Sequence, residues 1–196
     1  MSVATGQGAV VVTPLQLAHT IGAIAWGGTF SRPHLAFRNQ LLALGVDTPD
    51  DHEQSFPLSE STLEALTRGM WGVVNEAEGT GAGARCPGID IAGKTGTAQV
   101  VSVDLQKSER NASFKNNAWF VGFAPSSKPE IVVAALVMRG EHSTVAVPIA
   151  REVIKAYFDK KTAQKPPLVQ TQNQVRMLTK AVAVQSTRPA KLAEFR

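Results

Sequence analysis

Apolar residues recur along this chain in two rhythms, one helical and one extended. Leu17, Ile21 and Ile24 are spaced as on one face of a helix, and that helix has a marked start. Thr13 suits the N-cap, Pro14 the first helical position, and Gln16 completes a capping box three residues after the cap. Gly27-Gly28 supplies the stop, because glycine accepts the left-handed conformation that ends helices. A second helix is predicted over 59–75, with Leu63, Leu66, Met70, Val73 and Val74 on one face and Ser61 with Glu64 capping its start. Trp71 falls on this helix and is expected in the core rather than as a binding platform. A last helix is predicted over 145–161, its apolar face made of Val147, Ala150, Val153, Ile154, Tyr157 and Phe158. Pro148 lies in its opening turn, where proline is tolerated.

The extended rhythm occupies the middle of the chain. Ile89, Ile91, Thr95, Thr97, Val100, Val101 and Val103 form one β-branched segment, 118–123 a second, and 131–138 a third. The short Pro/Ser link between the last two predicts an antiparallel hairpin. Connections fill the rest. Residues 29–57 read as a connecting region, extended around Arg32-Pro33-His34-Leu35 and turn-rich over 47–54. The Gly/Ala-rich stretch 79–88 reads as a flexible loop, and 104–117 as a long exposed one. Helix, helix, three strands and helix in that order predict an α/β fold of the α+β type, an antiparallel sheet flanked by helices. The third strand is apolar at every position, as in a central strand covered on both faces. Such a strand needs a neighbour on each side, and the chain offers one. An unpaired apolar edge invites association, so a partner strand is expected from outside this sequence.

Composition narrows the function. The chain has 196 residues, 43% of them hydrophobic, and a net charge of +4. Six Lys/Arg against Glu194 alone fall from Thr162 onward, which leaves the body nearly neutral. No basic stripe with aromatic platforms is present, so nucleic acid is not an expected partner. The segment 162–196 reads as a basic, solvated, disordered tail beside a domain at 1–161. Cys86 is the single cysteine and the four histidines are scattered, so neither an internal disulfide, a metal nor a cofactor is expected. The start Met1-Ser2-Val3 does not read as an export signal, and no run of roughly twenty apolar residues reads as a membrane span.

The chemistry concentrates in Ala92-Gly93-Lys94-Thr95-Gly96-Thr97-Ala98-Gln99. Gly88 to Thr95 matches the phosphate-loop pattern G-x-x-x-x-G-K-[ST]. That loop requires a strand before it and a helix after it, so that backbone N–H groups converge on phosphate. Here a Gly/Ala loop precedes and β-branched residues follow, so a nucleotide binder is the weaker reading. Lys-Thr-Gly on a strand is the alternative, one of the elements of penicillin-recognising serine enzymes. Lys94 brings positive charge to a cleft, Gly96 permits close approach of a substrate strand, and Thr97 offers a hydroxyl and an oxyanion donor.

The surroundings extend this match. Gly6-Gln7-Gly8, Val12-Thr13-Pro14-Leu15-Gln16-Leu17-Ala18, Gly93 to Gln99, Ala118-Trp119-Phe120-Val121-Gly122-Phe123-Ala124-Pro125 and the helix from Pro148 to Phe158 resemble class B penicillin-binding proteins, in the family's order. The resemblance is to the elongation-type members, penicillin-binding protein 2, and covers about residues 2–160. It implies the C-terminal part of a serine D,D-transpeptidase domain, with Lys94, Thr95, Gly96 and Thr97 forming one wall of the cleft. It also implies a bacterial inner-membrane parent facing the periplasm, with peptidoglycan stem peptides and β-lactam antibiotics as ligands. In the family, a strand far upstream pairs with the last strand of the sheet, the neighbour expected above. The departures bear on mechanism. No serine has a lysine three residues on, and no Ser-x-Asn occurs. Thr162 with Lys165 has the first spacing but lies at the start of the basic tail. Nucleophile, base and second motif are thus expected from the remainder of the domain, and the chain alone is expected to be inactive. A non-catalytic muropeptide-binding or regulatory module is the other reading compatible with these absences.

Overall fold

In the computed structural model, residues 6–7, 10–30, 32–36, 38–46, 54–100 and 115–164 are described. Helix α1, Pro14–Ala25, starts as its sequence dictates. The Thr13 hydroxyl accepts from the Gln16 N–H at 3.2 Å, and the Gln16 side chain accepts from the Thr13 N–H at 2.9 Å. Gly27 and Gly28 follow at φ +73° and +92°, values that glycine adopts without a Cβ penalty. The connecting region carries more structure than its composition predicts. Strand β1, Thr29–Phe30, pairs antiparallel with β2, Gln54–Ser55, and between them lies the short helix α2, Arg38–Ala43. These pieces are too short for a periodic signal, so only the pairing reveals them.

Helix α3, Glu60–Asn75, is capped by Ser59 rather than by Ser61, with the Ser59 hydroxyl accepting from the Thr62 N–H at 3.2 Å. Met70 and Val74 are buried as expected, whereas Leu66 is exposed. Trp71 is also exposed, contrary to its core assignment, because its indole N–H donates to Asp90 Oδ1 at 2.7 Å on the surface. The 79–88 stretch is not a flexible loop. It forms a 3₁₀ turn over Ala82–Ala84, anchored by the Gly81 N–H donating to the Val73 carbonyl at 2.9 Å. A Cβ on Gly79 would lie 2.4 Å from that carbonyl, so only glycine fits this corner.

The sheet is β3, Ala92–Ala98, β4, Asn117–Ala124, and β5, Ile131–Val137, all antiparallel and in that spatial order. Register pairs Thr95 with Phe120 and Phe120 with Ala135, and pairs Lys94 with Val121 and Val121 with Ala134. The first strand is shorter than its pattern. Ile89 makes only an isolated bridge to Cys86, and 101–114 lies outside the described residues. The centre is β4, not β5. Among the described residues β5 has β4 as its one strand neighbour, and most of its residues are half-buried rather than buried. Within the described residues this seven-residue apolar strand lies at an edge of the sheet.

One sheet face packs Ala92, Phe123 and Val132 against Met70 of α3 and against Ile21 and Ala25 of α1. The other face is organised by the fully buried ring of Phe120. Three glycines from three segments make room for it. A Cβ would reach the ring at 2.4 Å from Gly93, 2.9 Å from Gly122 and 3.3 Å from Gly81. The last helix, α4, runs Val147–Ala163 after a 3₁₀ turn at Ser143–Val145. Its buried stripe is Val147, Ala150 and Ile154, narrower than predicted, with Val153 and Tyr157 exposed. The chain divides into a compact unit, Met1–Ala156, and a second, Tyr157–Arg196. Within the second, Tyr157 and Phe158 stack edge to face at 5.1 Å. The sequence predicts a disordered tail from 162, but Thr162 and Ala163 are the last residues of α4, which extends two residues beyond its predicted end; 165–196 lies outside the described residues.

Candidate active site

Strand β3 is held at its entrance by α3. Asn75 Nδ2 donates to the Ile91 carbonyl at 2.9 Å, and Asp90 receives both the Trp71 indole and the Ser126 hydroxyl. The strand emerges as the outer strand of the sheet, with β4 on one side and no strand on the other among the described residues. Gly88 to Thr95 passes through a turn and a bridge into this strand, and no helix begins at Thr95. The backbone N–H groups alternate between the two edges of β3 and do not converge on a point, so a phosphate has no cradle here.

Alternation separates the four predicted residues. Lys94 and Gly96 lie on the sheet face that carries Val121 and Trp119, while Thr95 and Thr97 share the face of Phe120 and Ala118. Lys94 is exposed, and its ammonium donates to the Thr95 carbonyl at 2.8 Å. Thr95 turns inward. It is a buried polar residue, 8% exposed, and its hydroxyl lies 2.7 Å from that of Thr80. Gly96 has a reason internal to the protein: an added Cβ would lie 3.3 Å from the Cβ of Trp119. Thr97 is half-buried, and its carbonyl accepts from Gln7 Nε2 at 2.8 Å.

That last bond identifies the open edge. Gln7 belongs to neither β4 nor β5, and it also accepts from the Gln99 N–H at 3.1 Å. The main-chain groups of Thr97 and Gln99 therefore face away from β4. A strand residue turns its N–H and C=O to the same edge, so the Thr97 N–H also points outward. Thr95 shares this parity, which places the Lys94 ammonium, bound to the Thr95 carbonyl, at the same open edge. A positive charge and an outward N–H thus meet along one edge of β3 that has no strand neighbour among the described residues. This arrangement suits an extended peptide laid against the strand, with charge developing on a carbonyl oxygen near the N–H.

Thr80 and Gln7 are the residues that sequence reasoning leaves without a role. The available signal for Thr80 was a hydroxyl set between two glycines in a loop otherwise of small residues. It has a testable consequence. Thr80→Val strands the buried Thr95 hydroxyl without its partner, for an expected cost of about 1–3 kcal/mol. Thr80→Ser keeps the bond and is expected to recover most of that loss in urea unfolding. Among the described residues no cluster of three His, Cys, Asp or Glu is placed to hold a metal. The Ser59 and Ser61 hydroxyls are engaged with each other at the start of α3, and Ser126 with Asp90.

A Lys-Thr-Gly-Thr outer strand on an antiparallel sheet flanked by helices is one element of the fold of penicillin-recognising serine enzymes. The chain belongs to the penicillin-binding protein transpeptidase domain family, whose profile matches residues 1–155. It is similar to the peptidoglycan D,D-transpeptidase MrdA of Haemophilus influenzae, 33% identical over 180 residues, covering 84% of this chain and 26% of that protein. Among solved structures it is similar to PBP2 of Pseudomonas aeruginosa in complex with WCK 5153, at 34% identity and a TM-score of 0.60, covering 78% of this chain and 32% of the other. The imipenem acyl-enzyme complex of penicillin-binding protein A from M. tuberculosis matches at 32% identity and a TM-score of 0.58, covering 80% and 33%. These relatives place the chain with the class B transpeptidase domains of cell-wall synthesis. The chain spans about a quarter of the length of the curated relatives it matches.

Proposed function

We propose that this chain supplies one wall of a peptidoglycan D,D-transpeptidase active site and does not react with penicillin by itself. The observation that carries the reading is the open edge of β3, where the Lys94 ammonium and the Thr97 N–H share one side of the strand. In the assembled domain a serine from the remainder attacks the penultimate D-alanine carbonyl of a stem peptide. The carbonyl oxygen gains charge and is stabilised by the Thr97 N–H. The terminal D-alanine then leaves with a proton, and an amine of a neighbouring stem displaces the serine from the acyl group. A β-lactam acylates the same serine by opening its ring. Lys94 supplies positive charge beside the reacting groups, Gly96 keeps the strand flush beside Trp119, and Thr95 holds the strand through Thr80 and lends only its backbone to the cleft.

In this reading residues 1–161 belong to the domain and a basic extension follows; the family match ends at 155, and α4 runs on to Ala163. On the same reading the parent protein works at the bacterial inner membrane, facing the periplasm. None of the described helices is long and apolar enough to cross a membrane. Stem peptides, β-lactams and the serine-bearing part of the domain are the partners. Covalent catalysis needs an activated nucleophile with its base, and neither Ser-x-x-Lys nor Ser-x-Asn occurs in this sequence. Incubation of the purified 196-residue chain with a fluorescent penicillin is therefore expected to leave no boiling-resistant label. A stable adduct on this chain overturns the proposal.

A further inference from the structure

Gln7 lies some ninety residues from the strand it touches, and its carboxamide makes two bonds there. Nε2 donates to the Thr97 carbonyl at 2.8 Å, and Oε1 accepts from the Gln99 N–H at 3.1 Å. A carboxamide offers one donor and one acceptor side by side, the pair that a neighbouring strand would present to positions i and i+2. The Gln7 side chain thus stands in for a strand at one point along an otherwise open edge. We propose that Gln7 is a positioning residue of the active site: it clips the open edge of β3, fixes the Thr97 peptide group, and sets where a peptide strand added to that edge must stop. The proposal rests on the reading of this edge as the substrate wall.

Thr97 carries the outward N–H, and its carbonyl is held by Gln7 while a second lone pair stays open. A peptide can therefore pair at Thr97, but beyond it the Gln99 N–H is occupied. The clip also limits rotation of the Thr97 main chain. An oxyanion donor is effective only when it is held in place before charge develops.

The chemistry of the side chain separates the two bonds. Gln7→Ala removes both. Gln7→Glu retains an acceptor for the Gln99 N–H but has no donor for the Thr97 carbonyl and sets a charge against it. The first measurement is residue-resolved amide exchange on the 196-residue chain. Gln7→Ala is expected to speed exchange at Gln99 roughly tenfold, the loss of one hydrogen bond. Gln7→Glu is expected to keep Gln99 protected. The amides of Lys94 and Gly96, which face β4, are expected to be unchanged in both. Unchanged exchange at Gln99 in Gln7→Ala overturns the clip, as does a uniform acceleration of all β3 amides.

The second measurement uses the transpeptidase domain that joins this chain to its serine-bearing part. Both variants are expected to lower the penicillin acylation rate constant about tenfold at an unchanged melting temperature. Glu is expected to match Ala here, although it retains the Gln99 bond. Acylation at the wild-type rate in both overturns the positioning role. If the unsubstituted domain is not acylated at all, the active-site reading fails, and the clip is judged on amide exchange alone.

Discussion

Replacing Thr97 with proline is expected to lower penicillin acylation of the serine-bearing transpeptidase domain about 10²- to 10³-fold, with little change in its stability. The size follows from the loss of one oxyanion donor, and the tolerance follows from the strand's position. Proline lacks an N–H and is accepted in sheets where that N–H would face outward from an edge. The Gln7 and Gln99 contacts place the Thr97 main chain on the outward side of β3. Gly96 has the opposite parity, facing β4 across from Trp119. Gly96→Pro should therefore remove a ladder bond and destabilise the sheet, so one experiment carries its own control. Stopped-flow acylation and thermal melting of the two variants read the two effects. An unchanged acylation rate in Thr97→Pro, or equal destabilisation by both prolines, would mean that the open edge has been assigned to the wrong residues.

The second large effect is structural. Phe120→Ala is expected to cost about 3–5 kcal/mol in urea unfolding, the usual range for removing a buried aromatic ring. That is a large part of the roughly 5–15 kcal/mol by which a domain is stable. The site has little means of collapsing, because the ring is bounded by Gly81, Gly93 and Gly122, which carry no side chains to fill the space. Gly93→Ala tests the same slot from the other side. Its Cβ would lie 2.4 Å from the Phe120 ring, and overpacking of this kind costs about 1–3 kcal/mol. Combined with Phe120→Leu, which shortens the reach of the side chain, Gly93→Ala should be markedly less harmful than in the parent chain. Residues in direct contact are where additivity fails. Strict additivity of the two changes would show that the ring does not occupy this slot.

These two experiments meet at one short segment. Gly93 accommodates the packing on one face, and four residues later Thr97 presents the candidate donor at the edge. The Lys-Thr-Gly run is thus bracketed by demands of different origin. Gly93 answers to Phe120 and Gly96 to Trp119, so both glycines have packing reasons that stand apart from any substrate. The inward hydroxyl of Thr95 answers to Thr80.

Local signals fared best where one short stretch contained the whole physical reason. The Thr13 capping box, the turn between β4 and β5 and the β-branched runs are complete within a few residues, so their elements were legible. The motif at Lys94 was equally legible. Exposure was read less well. Leu66, Trp71, Val153 and Tyr157 are apolar or aromatic at helical spacing yet exposed. Periodicity says which residues share a face of a helix, and it does not say how wide a stripe the neighbouring elements cover.

What the sequence determined by itself is the three long helices, the three strands of the main sheet with the antiparallel hairpin of the last two, and the chemical identity of the Lys94 to Thr97 strand. Each follows from interactions within a strand, a turn or one helical repeat. The tertiary structure alone decided which edge of β3 is open, that Thr95 points inward to Thr80, that Gly79 to Gly88 is a built corner, and that Gln7 reaches Thr97 and Gln99. Each of these depends on two segments brought together from distant parts of the chain. Gln7 and Gln99 are separated by 92 positions, and no local pattern encodes that meeting.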